Sequence, residues 1–216
     1  MSAIASDPKK TVAGVLLAGG QARRMGGGDK CLRPLASKPI LQHVIEKTHP
    51  QVAALVLNAN GDPSRFDRFD LPVIKDVIDG FAGPLAGVLT GMEWSEAHRP
   101  ECPWIVTIAT DTPFLPSHLV ASMMEAIERE GAELAVATSN GRTHPVFGLW
   151  PVHLAGNLRR AMIDEEMRKV DRFTARYRLV EVAFAADPFD PFFNTNRPED
   201  LEAAERLILD QPIISL

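Results

Sequence analysis

The chain has 216 residues, 45% hydrophobic and 24% charged, which is enough for a sizeable buried core in a single α/β unit. A net charge of -5 at pH 7 argues against a general nucleic-acid or membrane-surface binder, and no apolar run approaches the length of a membrane span. Two cysteines, Cys31 and Cys102, give neither a disulfide framework nor a metal-ligand pair, and the opening MSAIASDPKKT lacks the apolar core of a secretory signal. The expected compartment is a reducing cytoplasm.

Residues 1–10 read as a flexible N-terminal tail and 11–216 as a single domain. The first predicted element is a short buried strand over 12–17 that breaks into Ala18-Gly19-Gly20. Small residues there let the backbone turn tightly and bring its N–H groups close to a bound anion. Arg23, Arg24, Gly26-Gly27-Gly28 and Asp29-Lys30 follow, interleaving a pliable backbone with three cations. Polyphosphate needs this combination: directional amides, a bidentate Arg and a compact Lys charge. The stretch is neither a Walker A loop, since no Gly-Lys-Ser/Thr occurs, nor G-x-G-x-x-G, since Cys31 stands in the third glycine's place. A basic surface loop after an ordinary strand is the alternative.

Apolar residues at helical spacing predict a helix over 39–49, with Pro39 at its first position. A second strand is expected over 53–57, ending in Asn58-Ala59-Asn60-Gly61, then a short polar helix and a third strand over 72–75, ending at Asp76. A glycine-rich loop over 79–87 leads into a helix reaching about Glu96. The fourth strand, 104–109, is almost continuously apolar and ends in Thr110-Asp111-Thr112-Pro113, before a helix over 116–130. Strand, loop and helix in repeated order predict a Rossmann-like three-layer α/β sandwich, a mostly parallel sheet with helices on both faces. The second half reads as strands over 134–138 and 145–150 joined by Ser139-Asn140-Gly141-Arg142, then helices over 151–163 and 165–173. A strand over 179–184 and a terminal helix over 198–209 complete the chain.

Ligands of open α/β sheets bind outside the carboxyl ends of the strands. Gly19, Asn58, Asp76 and Asp111 all fall there. An amide at Asn58 and a carboxylate at Asp76 suit the reading of a base. The adjacent N–H and amino donors of guanine suit a carboxylate, although the residues alone leave the base open. Asp111 is the natural ligand for Mg2+, which accepts few carboxylates and takes its other oxygens from water and phosphate. Turn formation is the competing role for Asn58, Asp76 and Asp111. His144 reads as a turn residue and Asn196 as the cap of the last helix. No histidine spacing points to zinc.

Leu17-Ala18-Gly19-Gly20-x-x-x-Arg24-Met25-Gly26-Gly27-x-Asp29-Lys30 resembles the signature of the molybdenum cofactor guanylyltransferases. The similarity continues through Lys38-Pro39, Asn58-Ala59-Asn60, Gly83-Pro84-Leu85-Ala86-Gly87, Asp111-Thr112-Pro113 and Asn194-x-Asn196-x-Pro198-Glu199-Asp200. The resemblance implies transfer of GMP from GTP to the terminal phosphate of molybdopterin, with release of pyrophosphate. It implies GTP binding by Leu17, Ala18, Gly19, Lys30, Asn58, Asp76 and Asp111, with Mg2+ on Asp111. It further implies a C-terminal half that receives the pterin through Asn194 and Asn196, and cofactor insertion and handover proteins as partners. On this reading the nucleophile is an already ionised phosphate, so Arg24, Lys30 and Asp111 act by positioning and charge neutralisation rather than as a strong base. The chain departs from the family at Glu165-Glu166-Met167-Arg168-Lys169-Val170, where relatives often carry a basic and aliphatic segment. Competing readings are a molybdopterin cytidylyltransferase, a sugar-phosphate nucleotidyltransferase, or a non-catalytic GTP- or pterin-binding module. Gly19-Gly20 favours the guanylyl branch, because cytidylyl relatives usually show an alanine-alanine-glycine turn.

Overall fold

The structure, a computed structural model, describes residues 7–19, 29–80, 83–195 and 197–209. The chain starts with α1 (Pro8–Thr11), a single helical turn begun by Asp7, whose carboxylate accepts the Lys9 N–H at 3.1 Å. From residue 8 onward this turn stands where the sequence reads as loose tail. It leads straight into β1 (Val12–Leu17). After the glycine-rich stretch come β2 (Pro34–Leu35), β3 (Lys38–Pro39), α2 (Ile40–Thr48), β4 (Ala54–Asn58), β5 (Val73–Ile74), α3 (Pro84–His98) and β6 (Trp104–Ala109). The second half adds α4 (Leu119–Glu130), β7 (Leu134–Ser139), β8 (Arg142–Pro151), α5 (Ala155–Asp164), α6 (Val170–Thr174), β9 (Leu179–Ala183) and α7 (Pro198–Leu209).

Seven strands form one sheet in the order β5-β4-β1-β6-β8-β7-β9. All its strands run parallel except β8, which is antiparallel to both β6 and β7. The chain leaves β1 for β4 and β5, then returns through α3 to β6 on the other flank of β1. The β1/β6 boundary is therefore the point where strand order reverses, and a crevice opens there at the carboxyl ends.

β1 is covered on both faces, and its side chains sort by parity. Val12 and Leu16 enter the core built with Leu41 and Val44 of α2 and Val120 and Met123 of α4. Ala13 and Val15 enter the opposite core, with Leu85, Leu89 and Met92 of α3, Leu158 of α5 and Phe173 of α6. The three-layer sandwich expected from the sequence follows. α3 is buried almost all round, as suits a helix with little polar face, and it packs under β1, β4 and β6.

Some boundaries differ from expectation for local reasons. Pro39 is extended (φ -62°, ψ 151°) and belongs to the β2–β3 ribbon, so α2 begins one residue later. Asn140 and Gly141 both adopt positive φ (48° and 69°), the geometry of a tight two-residue hairpin. The turn is thus shorter than predicted, and β8 starts at Arg142. Glu166 sits at φ 52°, which interrupts the helix expected over 165–173 and leaves α6 from Val170. Among the described residues, no helix is long and apolar enough to cross a membrane.

Candidate active site

The ends of β1, β4, β5 and β6 and the first turn of α3 surround a cleft of about 650 Å³. Leu17, Ala18, Gly19, Lys30, Asn58, Asp76 and Asp111 all line it, so the structure brings every sequence-nominated nucleotide residue into one space. Asn194 does not line the cleft; its Oδ1 accepts the Thr112 hydroxyl at 2.8 Å. Arg24 and Asn196 lie outside the described residues.

The parallel ladder carries the two central strands to the cleft in register. Ala18 N–H donates to the Asn58 carbonyl at 2.9 Å, extending β1–β4 pairing by one residue. Thr110 Oγ1 donates to the Leu17 carbonyl at 3.2 Å, tying the end of β6 to the end of β1. The Asp111 carbonyl is held from behind by Thr195, whose N–H and hydroxyl both donate to it at 3.1 and 3.2 Å. With its main chain fixed, Asp111 turns its carboxylate to the cleft.

There it meets Lys30. The ammonium Nζ lies 2.5 Å from Asp111 Oδ2, and the lysine side chain is 10% exposed against 23% for the carboxylate. Lys30 opens a 3-10 turn, Lys30–Leu32, directly after the glycine-rich stretch. A cation that has lost most of its hydration presses on any anion entering the same space more strongly than an exposed lysine would. Asp29, the residue before it, faces away and pairs with Arg65. Arg65 Nε lies 2.5 Å from Asp29 Oδ2 but out of line for a hydrogen bond, so this contact acts by charge. Cys31 also lines the cleft. Burial, above all, pushes its thiol up to about 11, against a smaller lowering by Thr110, which leaves it protonated and unreactive at neutral pH.

At the other end, two asparagines grip one carboxylate. Asn58 Nδ2 donates to Asp76 Oδ1 at 3.0 Å and Asn60 Nδ2 to Asp76 Oδ2 at 2.7 Å. Gly87, one turn into α3, makes room for this arrangement. A Cβ there would stand 2.5 Å from both Asn58 Oδ1 and Leu17 Cδ2. Gly83 and Pro84, at the start of this 15-residue helix, line the cleft, which places the positive end of α3 at its wall.

The cleft joins a buried cation and a carboxylate to an amide–carboxylate cluster, at the switch point of a doubly wound sheet. Residues 14–181 match the MobA-like NTP transferase domain. The chain belongs to that family. It is therefore a nucleotidyltransferase. It is 55% identical over 195 residues to a molybdenum cofactor guanylyltransferase of Rhodopseudomonas palustris (strain BisB5), covering 90% of this chain and 93% of that one. It is 53% identical to a molybdenum cofactor guanylyltransferase of Bradyrhizobium sp. (strain ORS 278), covering 94% and 95%. Among solved structures, molybdopterin-guanine dinucleotide biosynthesis protein A from Archaeoglobus fulgidus superposes with a TM-score of 0.69 at 23% identity, covering 92% of this chain and all of that one. The MobA-like fold is thus shared across wide sequence divergence.

Sequence reasoning had no role for Asn60, Arg65, Thr110 or Thr195. Asn60 stands in the Asn58-Ala59-Asn60 motif, and its alternation with Asn58 along an extended segment is a signal that could have found it. Arg65 and Thr195 act on partners 36 and 84 residues away, and no local pattern marks them.

Proposed function

We propose that this chain transfers GMP from GTP to the terminal phosphate of molybdopterin, forming molybdopterin guanine dinucleotide and releasing pyrophosphate. The observation that carries this reading is the division of one cleft into a phosphate end, Lys30 with Asp111, and a base end, Asn58 with Asp76. The names of the relatives at 50% identity and above agree with it.

The reaction replaces one P–O bond by another at the α-phosphorus. An oxygen of the acceptor phosphate attacks, the bond to the bridging oxygen of the β-phosphate breaks, and its electron pair leaves with pyrophosphate. The nucleophile already carries negative charge, so no residue has to remove a proton from it. The barrier lies in bringing two anions together in line. Lys30 answers it with a pre-placed ammonium, and the N-terminus of α3, which lines the same cleft, adds positive potential. Arg24 is assigned to the phosphates with Lys30 by its place in the glycine-rich motif. Asn194, held by Thr112 beside Asp111, is assigned with Asn196 to the pterin side, in a C-terminal half that receives the acceptor.

The donor set fits Mg2+. Asp111 offers one partly exposed carboxylate, and no cluster of three His, Cys, Asp or Glu occurs among the described residues. Such a site suits an ion that keeps several waters and completes its shell with phosphate oxygens. When bound, Mg2+ supplies neutralising charge to those oxygens. Two free cysteines, both buried, accord with a cytoplasmic enzyme.

Calorimetric titration with GTP, CTP and ATP in Mg2+, paired with pyrophosphate release in the presence of molybdopterin, tests the reading. Selective GTP binding with turnover supports it. Lys30→Ala and Asp111→Asn, folded by circular dichroism, should each lower kcat by about 100-fold or more. Wild-type turnover in either variant, or preference for CTP, refutes the assignment.

A further inference from the structure

Asp76 is the carboxylate of the base end, and its geometry is fixed from three sides. Asn58 Nδ2 reaches Oδ1 at 3.0 Å and also donates to the Ile74 carbonyl at 3.3 Å. Asn60 Nδ2 reaches Oδ2 at 2.7 Å, and Asn60 Oδ1 accepts the Asp76 N–H at 2.9 Å. This second pairing is reciprocal: one amide binds both the side chain and the main chain of the same residue. It also decides the orientation of the Asn60 amide, because a backbone N–H demands an oxygen opposite it. The next residue, Val77, is anchored through its N–H to Thr90 Oγ1 at 3.0 Å, which ties the strand end to α3.

Asn60 is itself pinned. Its carbonyl accepts Arg65 Nη2 at 2.6 Å, and Arg65 pairs in turn with Asp29 beside Lys30. Gly61 takes φ 87° to turn the chain around this guanidinium. The base end is thus built as a braced unit.

A carboxylate has roughly four acceptor positions over its two oxygens. The asparagines use one on each oxygen. Among the described residues, one position remains on each, and the carboxylate lines the cleft. Two parallel acceptors match two parallel donors, the ring N–H and exocyclic amino group that guanine presents on one edge. Adenine and cytosine lack that adjacent pair.

We propose that Asn60 is the positioning residue for guanine specificity, holding Asp76 so that one acceptor position on each carboxylate oxygen faces the base. This inference rests on the reading that the cleft takes GTP. Asn60 touches Asp76 rather than the nucleotide and acts through it. Without Asn60, Asp76 Oδ2 and the Asp76 N–H lose their partner, the carboxylate rotates about its Cβ bond, and the paired donors of guanine are no longer met together.

The test compares GTP with ITP, which lacks the exocyclic amino group, and with inorganic pyrophosphate, which senses only the phosphate end. All three are titrated with Mg2+ against wild type, Asn60→Ala and Asn60→Asp. Wild type should prefer GTP to ITP by about 10- to 100-fold. Asn60→Ala should bring GTP affinity down to near that of ITP, with ITP and pyrophosphate affinities within about twofold of wild type. In turnover, KM for GTP should rise while kcat is kept. Asn60→Asp keeps the size of the side chain and an acceptor for the Asp76 N–H but sets oxygen against oxygen, so its GTP preference should vanish as well. A retained GTP:ITP ratio in either folded variant overturns the proposal, as does a parallel loss of pyrophosphate binding, which would mark a merely structural residue. A wild type that binds ATP as tightly as GTP, titrated alongside, would overturn the guanylyl reading, and the proposal with it.

Discussion

Adding one methyl group at Gly87 tests how tightly α3 is fitted to the nucleotide cleft. In an ordinary helix interior, Gly→Ala stabilises by about 0.5–1 kcal/mol, because alanine has less backbone freedom to lose. Here the new Cβ would meet Asn58 Oδ1 and Leu17 Cδ2 at 2.5 Å, where ordinary contact starts near 3.4 Å. Each must withdraw by roughly 1 Å, or α3 must lift from the sheet, and overpacking of this kind costs about 1–3 kcal/mol. A withdrawal of that size would carry the Asn58 amide out of hydrogen-bond range of Asp76, now 3.0 Å away. Releasing Asp76 from that bond would misplace the carboxylate proposed to read the base, which should lower GTP affinity by roughly 10- to 100-fold. Gly156 supplies the internal control: it lies in α5, and a Cβ there meets nothing within 4 Å. Urea unfolding and GTP calorimetry on both variants separate the effects. Gly87→Ala should lose about 1–2 kcal/mol of stability and most of its GTP affinity. Gly156→Ala should gain up to about 1 kcal/mol and bind GTP as wild type does. Undiminished GTP affinity in Gly87→Ala would refute the claim that Asn58 must stay where it is.

Two further predictions concern titratable groups. His144 donates through Nε2 to Ser139 Oγ at 2.7 Å, since the single Ser139 proton goes to Asp190 Oδ1 at 2.8 Å. Burial holds its pKa below the ordinary value, against Asp190, which raises it, and with Arg142, which lowers it further. The unfolded chain therefore takes up this proton more readily than the folded one. Stability should fall as pH drops below about 6.5, and His144→Asn should flatten that slope in urea unfolding at pH 5 and 7.5. Cys31, with its thiol pushed up to about 11, should react with iodoacetamide at pH 8 about two orders of magnitude more slowly than a free cysteine until the protein unfolds, as mass spectrometry of the alkylated chain would show.

The strand ends could be read from the sequence because each is a short apolar run cut off by a polar residue. That is how Asn58, Asp76 and Asp111 stand out, and the βα alternation then collects them at one edge of the sheet. β6, buried on both faces, needs no other signal than its run of apolar residues, broken only by Thr107. The β2–β3 ribbon gave no such signal, since two-residue strands have no period to detect. The link between Arg65 and Asp29, and the clamp of Thr195 on Asp111, arise only when the sheet brings distant segments together. Asn60 is an intermediate case: its side chain was visible in the motif, but its reciprocal grip on Asp76 depends on β5 lying beside β4. The acidic pair at 165–166, which departs from the family pattern, has a local explanation for its first member. Glu165 forms a two-pronged pair with Arg176, and neither glutamate lines the nucleotide cleft.

The bonds that hold the Asp111 segment join positions 84 residues apart through Thr195 and 82 apart through Asn194. During synthesis, the strand bearing Asp111 leaves the ribosome well before the segment that clamps it. At about 5–20 residues per second, the interval is roughly 4 to 17 seconds. Over that time a nascent chain already holds its glycine-rich stretch, Asn58 and Asn60, while the Asp111 segment lacks its backing. The clamp on the Asp111 segment is therefore among the last long-range contacts that translation permits, and chains abandoned before residue 194 lack it.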